Sequence, residues 1–266
     1  MKNNIKVKDI INTLEKQGSW VDWSYTRDRL LIGDHEQNVH KVGVCWTLTN
    51  SAIEEAISKK IDLIITHENP FYLSSTQLPT CLFMAQKEKE QKIKSASIAV
   101  YRCHDMWDCC PNHGIADTWA HNLHEIILNK KREKFITFAT IKEKTVKEIA
   151  VLLSQKMLDD GENGVYMIGK TNQIVHSIAM GTGAATNVFE MSKYDPDLYI
   201  VSEDGINCWS SAQYIVDKNK SMIVVSHCCC EKGGLKQLPD YLKQYLDIDV
   251  EYIDDHMHAT FVAIDG

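Results

Sequence analysis

Apolar positions along the chain fall into two alternating spacings, and their alternation predicts the class of fold. Residues 7–18, VKDIINTLEKQG, place apolar side chains at helical intervals and close on Gly18. KVGVCWTL (41–48) is a continuous apolar run with the look of a buried strand, and TNSAIEEAISKK (49–60) returns to helical spacing with Thr49 or Asn50 as its N-cap. The exchange then repeats: strand over DLIITHE (62–68), helix over TCLFMAQKEKEQKIKSA (80–96), strand over SIAVYRCH (97–104), helix over DTWAHNLHEIIL (117–128). Past the basic link KKREK (130–134), KFITFATI begins a second set of strands. TVKEIAVLLSQKM (145–157) comes next as a helix opened by Thr145, and DDGENG (159–164) is a turn. Strands alternating with helices predict an α/β architecture with strand-helix-strand crossovers.

The pattern also echoes itself. Lys41 to Glu68 and His176 to Glu203 have equal length and superpose without a gap, with Asp62 on Asp197, Leu63 on Leu198, Ile65 on Ile200 and Glu68 on Glu203. Chance likeness of two strand-helix-strand units is the alternative. The residues downstream of each unit favour a true repeat: AVYRCHDMWD after the first and IVVSHCCCE after the second are each an apolar strand, a histidine, and a carboxylate four residues on. His104 with Asp108 thus matches His227 with Glu231. The expectation is two related lobes, residues 1–130 and 131–266.

Composition narrows the function classes. The chain has 266 residues, 44% of them hydrophobic, which is ordinary globular material. Lys and Arg number 29 against 36 Asp and Glu, a formal net charge of -7, so a nucleic-acid-binding face is not signalled. No apolar run reaches the length of a membrane span, and the N-terminal residues lack the apolar core of a secretion signal, so a cytoplasmic protein is expected. Nine cysteines, two adjacent at Cys109 and Cys110 and three at Cys228, Cys229 and Cys230, make a poor disulfide framework and fit reduced thiols.

The chemistry concentrates at predicted strand ends, where open α/β sheets place their ligands. His67 and Glu68 emerge together from DLIITHENPFY, with Pro70 preventing continuation of the strand. If a helix starts at His227, that residue and Glu231 share one face and can reach the same ion, while the cysteines between them are rotated away. The three cysteines read either as small apolar filler under a crowded turn or as ligands; consecutive positions converge poorly on one ion. MGTGAATN (180–187) leaves a strand through two glycines, either a cradle for an anion or a turn chosen for tight packing. His256 and His258 near the C-terminus are weaker metal candidates.

DLIITHENPFY, AVYRCHDMWD and MIVVSHCCCEKGG, in that order and with LLIGD at 30–34, resemble the NGG1-interacting-factor-like family of dinuclear metal-centre proteins, often called GTP cyclohydrolase I type 2 homologs. The resemblance runs over nearly the whole chain, without the middle insertion domain of some members. It implies two α/β lobes with mixed sheets, a metal site in the cleft between them, and a toroidal homohexamer. It also implies two divalent ions (Zn, Mn or Fe) held by His67, Glu68, Asp108, His227 and Glu231. Glu68 departs from the family, which has a second histidine there. A carboxylate adds negative charge and a harder donor, favouring Mn or Fe over Zn or loosening one position. Cys230 stands where the family usually has serine.

Clustered carboxylates and histidines need divalent cations to offset their mutual repulsion. Two such ions roughly 3.5–4 Å apart lower the pKa of a shared water and stabilise charge on a substrate oxygen, so hydrolysis is the natural reaction class. The expected activity is hydrolysis of a small nucleotide-like or phosphate-bearing molecule, with His104 and Glu203 as catalytic residues that orient ligands or move protons. The alternative is a metal-stabilised, non-catalytic oligomeric scaffold or regulatory protein.

Overall fold

A computed structural model describes residues 4–72, 79–206 and 209–257. The described residues divide into two compact units, the first formed by the chain up to Gly114 with Leu235–Met257 and the second by Ile115–Gly234. The first unit runs α1 (Val7–Gln17), β1 (Arg29–Ile32), β2 (Lys41–Cys45), α2 (Asn50–Ser58), β3 (Leu63–Thr66), α3 (Thr80–Ser95), β4 (Ala99–Arg102) and α4 (Asp105–Asp108). The second runs α5 (Ile115–His121), β5 (Ile127–Glu133), β6 (Ile136–Thr145), α6 (Val146–Met157), β7 (Tyr166–Ile168), β8 (Ile174–Met180), α7 (Val188–Met191), β9 (Leu198–Ser202), α8 (Trp209–Asp217), β10 (Ser221–Val225) and α9 (His227–Leu235). The chain then returns to the first unit with α10 (Leu238–Lys243) and β11 (Asp249–Tyr252).

Both sheets are mixed. The first has strand order β1-β4-β3-β2-β11, with β1 antiparallel to β4 and the rest parallel. Its central strands are apolar along their length because both faces are covered, the burial expected of parallel strands. Ile64 and Val100 pack with Ala52, Ile53 and Ala56 of α2 and with Ile93 of α3. Each fully buried Ile contributes about 1.5–3 kcal/mol relative to an exposed one. Of the two cap candidates for α2, the structure chooses Thr49, whose Oγ1 accepts from Ala52 N at 3.2 Å.

The second sheet has order β5-β6-β8-β9-β10-β7, with β8, β9 and β10 parallel. Leu153 and Ile149 of α6 pack on Ile178, Leu198 and Ile223. Thr145 caps α6 in a reciprocal box: its hydroxyl accepts from Glu148 N while its own N–H donates to Glu148 Oε2 at 2.8 Å. One sequence expectation fails here. The helix predicted over 117–128 stops at His121, and the residues read as its end and as the basic link form β5, antiparallel to β6 with Ile127 opposite Ile141. Leu123, Ile126 and Ile127 recur at helical spacing, but a turn buries Leu123 and Ile126 in the core, so the periodicity serves a different geometry. The boundary expected at 130/131 falls inside this strand.

The echo between the units has a physical counterpart in hydrogen bonds. In the first, Asp62 Oδ2 accepts from His40 N at 2.7 Å and Lys41 N at 3.2 Å, and Gln37 Nε2 donates to Asp62 O at 3.3 Å. In the second, Asp197 Oδ2 accepts from His176 N at 2.9 Å and Ser177 N at 3.1 Å, and Gln173 Nε2 donates to Asp197 O at 3.5 Å. The bonds set Lys41 against Ser177, not His176, so the gapless superposition is off by one residue at its first strand. The second crossover is one residue shorter, and it carries short helical turns where the first has α2.

Candidate functional site

In the first unit the chain leaves β3 at Thr66, whose hydroxyl donates to Glu68 O at 3.0 Å and so turns the next two residues out of the sheet. His67 is 1% exposed. Its Nδ1 lies 3.1 Å from the carbonyl of Cys103, which can only accept, so Nδ1 carries the proton and Nε2 faces Asp108 Oδ1 at 3.4 Å. Glu68 is held through Oε2 by Arg102 Nη2 at 2.8 Å, and Arg102 Nε donates to His67 O at 3.0 Å.

Asp28, from the loop before β1, fixes the start of α4. Its carboxylate accepts from the backbone N–H groups of His104, Asp105 (2.9 Å) and Met106 (2.8 Å). Burial nevertheless pushes the Asp28 carboxyl up. The ring of His104 lies flat on that of His67, centroids 4.4 Å apart. His104 Nδ1 sits 2.9 Å from Asp105 Oδ1 and 3.1 Å from Asp108 Oδ2, and Nε2 sits 3.5 Å from Glu68 Oε1. Burial opposes the charged imidazole, but Asp108, Asp105 and Glu68 outweigh it and raise the His104 pKa to about 10.

The second unit builds its group at the start of α9, which begins at His227 and so meets the condition under which His227 and Glu231 share a face. Ser226 N donates to both oxygens of Glu162 at 3.0 Å, and His227 N donates to Glu203 Oε2 at 2.6 Å. Two acids thus take the first free amides of the helix. Burial pushes the Glu162 carboxyl up to about 7, against the pull of the Ser226 amide. Asp204 takes His227 Nδ1, which leaves Nε2 facing Glu231 Oε1 at 3.0 Å. Glu231 is buried. Gly183 passes over this pair in the left-handed region (φ +58°), and a Cβ there would stand 2.6 Å from His227 Nε2 and 3.1 Å from Glu231 Oε1. The Gly183 carbonyl is pinned by Thr186 Oγ1 at 2.7 Å and Ser202 Oγ at 2.9 Å.

The donor chemistry fits divalent ions. In the first unit, donor atoms of His67, Glu68 and His104 lie within 4.8 Å of one another, as do those of His104, Asp105 and Asp108. In the second, an imidazole nitrogen and a buried carboxylate oxygen face each other at 3.0 Å beneath the backbone of Gly183, where a Cβ would stand 2.6 Å from the nitrogen. Orienting each imidazole through its other nitrogen is the arrangement by which proteins fix metal-ligating histidines.

The three adjacent cysteines are all buried. Cys229 donates its thiol to Asp160 O and Cys230 to His227 O, each at 3.2 Å, and Cys230 packs in the core beside α6. This is the filler reading. The glycine-rich run 180–187 passes through a 3-10 turn, Gly183–Ala185, and ends at Asn187, whose side chain caps the short helix α7. His256 is exposed, its N–H on Asp254 Oδ1 at 2.9 Å; His258 lies outside the described residues. Sequence reasoning missed Arg102, Asp105, Asp204, Asp28 and Glu162. Asp105 and Asp204 were findable as acids beside singled-out residues, but Asp28 and Glu162 act 76 and 64 residues away from the amides they hold.

Comparison with known proteins gives these groups a context. A Clostridium perfringens (strain 13 / Type A) protein named GTP cyclohydrolase 1 type 2 homolog is 26% identical over 265 residues, covering 94% of this chain and 95% of the relative. A Ureaplasma parvum serovar 3 protein of the same name is 24% identical over 232 residues, covering 85% of this chain and 86% of the relative. Among solved structures, a Bacillus cereus protein related to NIF3 has the same fold, with a TM-score of 0.81 at 13% identity over 98% of this chain and all of the other. The pattern of Duf34/NIF3 (NGG1p interacting factor 3) matches residues 5–258, and the chain belongs to that family.

Proposed function

We propose that the chain is a divalent-metal-binding protein whose five residues His67, Glu68, Asp108, His227 and Glu231 serve a dinuclear centre, and that it hydrolyses a small nucleotide-like or phosphate-bearing molecule. One observation carries the reading. In each unit, taken by itself, an imidazole is fixed through Nδ1 by a protein acceptor so that Nε2 meets a buried carboxylate: His67 by Cys103 O toward Asp108, His227 by Asp204 toward Glu231. Buried acids of this kind are costly without a cation to offset them. The names of the relatives add weight to a hydrolytic role on a nucleotide-like molecule.

Bound ions would supply Lewis acidity and a nucleophile active at neutral pH. The chain's own residues do the rest. His104 lies against Glu68 through Nε2 and Asp108 through Nδ1, where it orients these two carboxylates, and Glu203 keeps the first turn of α9 in place through the His227 amide. By resemblance we also propose a homo-oligomer, a hexamer.

Elemental analysis of purified protein tests the reading. About two divalent ions per chain are expected, with loss of metal in His227→Ala and Asp108→Ala. Metal retained by both variants rejects the assignment. A screen of phosphoesters and nucleotides with Mn, Zn, Fe and Mg should then find turnover that both variants abolish. Metal loss that dissolves the oligomer while no substrate responds favours the scaffold alternative.

A further inference from the structure

Arg102 is the last residue of β4, every residue of which is buried, and is itself 8% exposed. A guanidinium there is costly unless paired. It is held at two points: Nη2 at 2.8 Å from Glu68 Oε2, and Nε donating to His67 O at 3.0 Å. One side chain therefore fixes the carboxylate of Glu68 and the backbone of His67, two adjacent members of the ligand set. The second oxygen of Glu68, Oε1, turns toward His104 Nε2 at 3.5 Å, and Glu68 offers one oxygen to a donor group with His67 and His104.

We infer that Glu68 and Arg102 act as one unit, a charge-neutral, single-oxygen metal donor standing where an imidazole would otherwise serve. Arg102 is a positioning residue: it takes Oε2 out of reach of an ion, offsets the carboxylate charge, and leaves Oε1 as the donor. A carboxylate at position 68 then adds no net charge to a site already rich in acids, so Glu68 and Arg102 are interchangeable with a histidine and a small neutral residue only as a pair. Arginine suits the task because its planar fork contacts two acceptors at once, which lysine does not. The inference rests on the metal-binding reading above.

A double-mutant cycle tests it, with Mn²⁺ alone as the probe and binding and thermal unfolding as the readouts. Glu68→His leaves the guanidinium unpaired beside the ion, and Mn²⁺ affinity should fall on the order of tenfold with a lower melting temperature. Adding Arg102→Ser should return Mn²⁺ affinity close to the wild-type value, with the melting temperature only partly restored because the bond from Arg102 Nε to His67 O goes with the side chain. Should the histidine variant fail to fold, Glu68→Gln with and without Arg102→Met gives the same comparison, with the same loss and the same rescue expected. Losses that simply add, or a single variant that binds like wild type, overturn the inference. Wild-type protein that holds no metal rejects the metal-binding reading itself, whereas metal in wild type with uncoupled variants rejects only the pairing.

Discussion

His104 and His227 occupy matching places in the two units, each just past the last of three parallel strands taken in chain order and each with an acid four residues on, yet they present opposite nitrogens. At His104 the next residue is Asp105, which takes Nδ1 at 2.9 Å; Asp108 shares that nitrogen, and the ring is laid flat on His67 with Nε2 toward Glu68. At His227 the next residue is a cysteine, so Nδ1 goes to Asp204 from a different strand end, and the longer Glu231 meets Nε2 at 3.0 Å. The i, i+4 spacing therefore does not set the role of the histidine. The residue at i+1 and the length of the acid at i+4 do. His104 becomes a ring faced by carboxylates through both nitrogens, while His227 meets its i+4 acid through Nε2 alone.

Gly183→Ala puts this contrast under the greatest strain, because among the described residues the second unit alone lays a glycine over its histidine-acid pair. The new Cβ meets His227 Nε2 at 2.6 Å and sits at φ +58°, where a side chain is strained. Clash and strain together should cost roughly 3 kcal/mol or more, read from urea unfolding. In a His227→Ala background the backbone strain and the 3.1 Å approach to Glu231 Oε1 remain, but the shorter clash is gone, and the cost should fall to about 1–2 kcal/mol. Equal costs in both backgrounds would mean that the glycine is not there to make room for the pair.

Legibility in the sequence depended on how local each signal is. Strand ends carrying His67, Glu68, His104, Asp108, Glu203, His227 and Glu231 stand out because an apolar run stops and titratable residues begin. Helix starts at Thr49 and Thr145 are visible for the same reason: the capping bonds join residues three apart. Edge strands β1, β7 and β11 are short and half-exposed, so no periodicity marks them. β5 was hidden by apolar residues at helical spacing that a turn uses instead. Three of the residues that orient the site, Arg102, Asp28 and Glu162, reach partners far away in the chain, and nothing in their own neighbourhoods says so.

A smaller effect separates the two helix starts. Asp28 spreads its charge over three backbone amides of the first unit, while Glu162 places both oxygens on the single amide of Ser226. Burial raises the Glu162 pKa from 4.5 to about 7, so its protonated form is favoured by folding. Stability from this group is therefore fully present below pH about 4.5 and is lost as pH rises through about 7, on the order of 3 kcal/mol in total. Glu162→Gln keeps an acceptor for Ser226 and cannot ionise. Its unfolding free energy should lack this decline, so the variant gains on wild type between pH 5 and pH 8. Parallel pH profiles for the two proteins would show that Glu162 is solvated and ordinary.

The weakest effect bears on whether the units are a repeat at all. Asp62 and Asp197 each span the start of one strand and the start of the next through a pair of amides on a single oxygen, with a glutamine bound to the same residue's carbonyl. Both side chains are about one-third exposed, at 33% and 31% relative accessibility, so water softens the loss when either is removed. Asp62→Ala and Asp197→Ala should each cost about 1 kcal/mol, near the net worth of a typical hydrogen bond rather than that of a buried ionic one. The two sites share no partner in these bonds, so the costs should add in the double variant. His40 contributes a further contact to Asp62, Nδ1 to Oδ2 at 3.3 Å, whereas Asp197 has the Ser177 hydroxyl at 3.1 Å and Lys220 Nζ at 3.9 Å, so the two carboxylates differ in their other neighbours. Equal costs mean that the amide clasp common to both units does the stabilising. A clear inequality would mean that these unlike neighbours dominate, and that the likeness of the two clasps carries no shared energetic role.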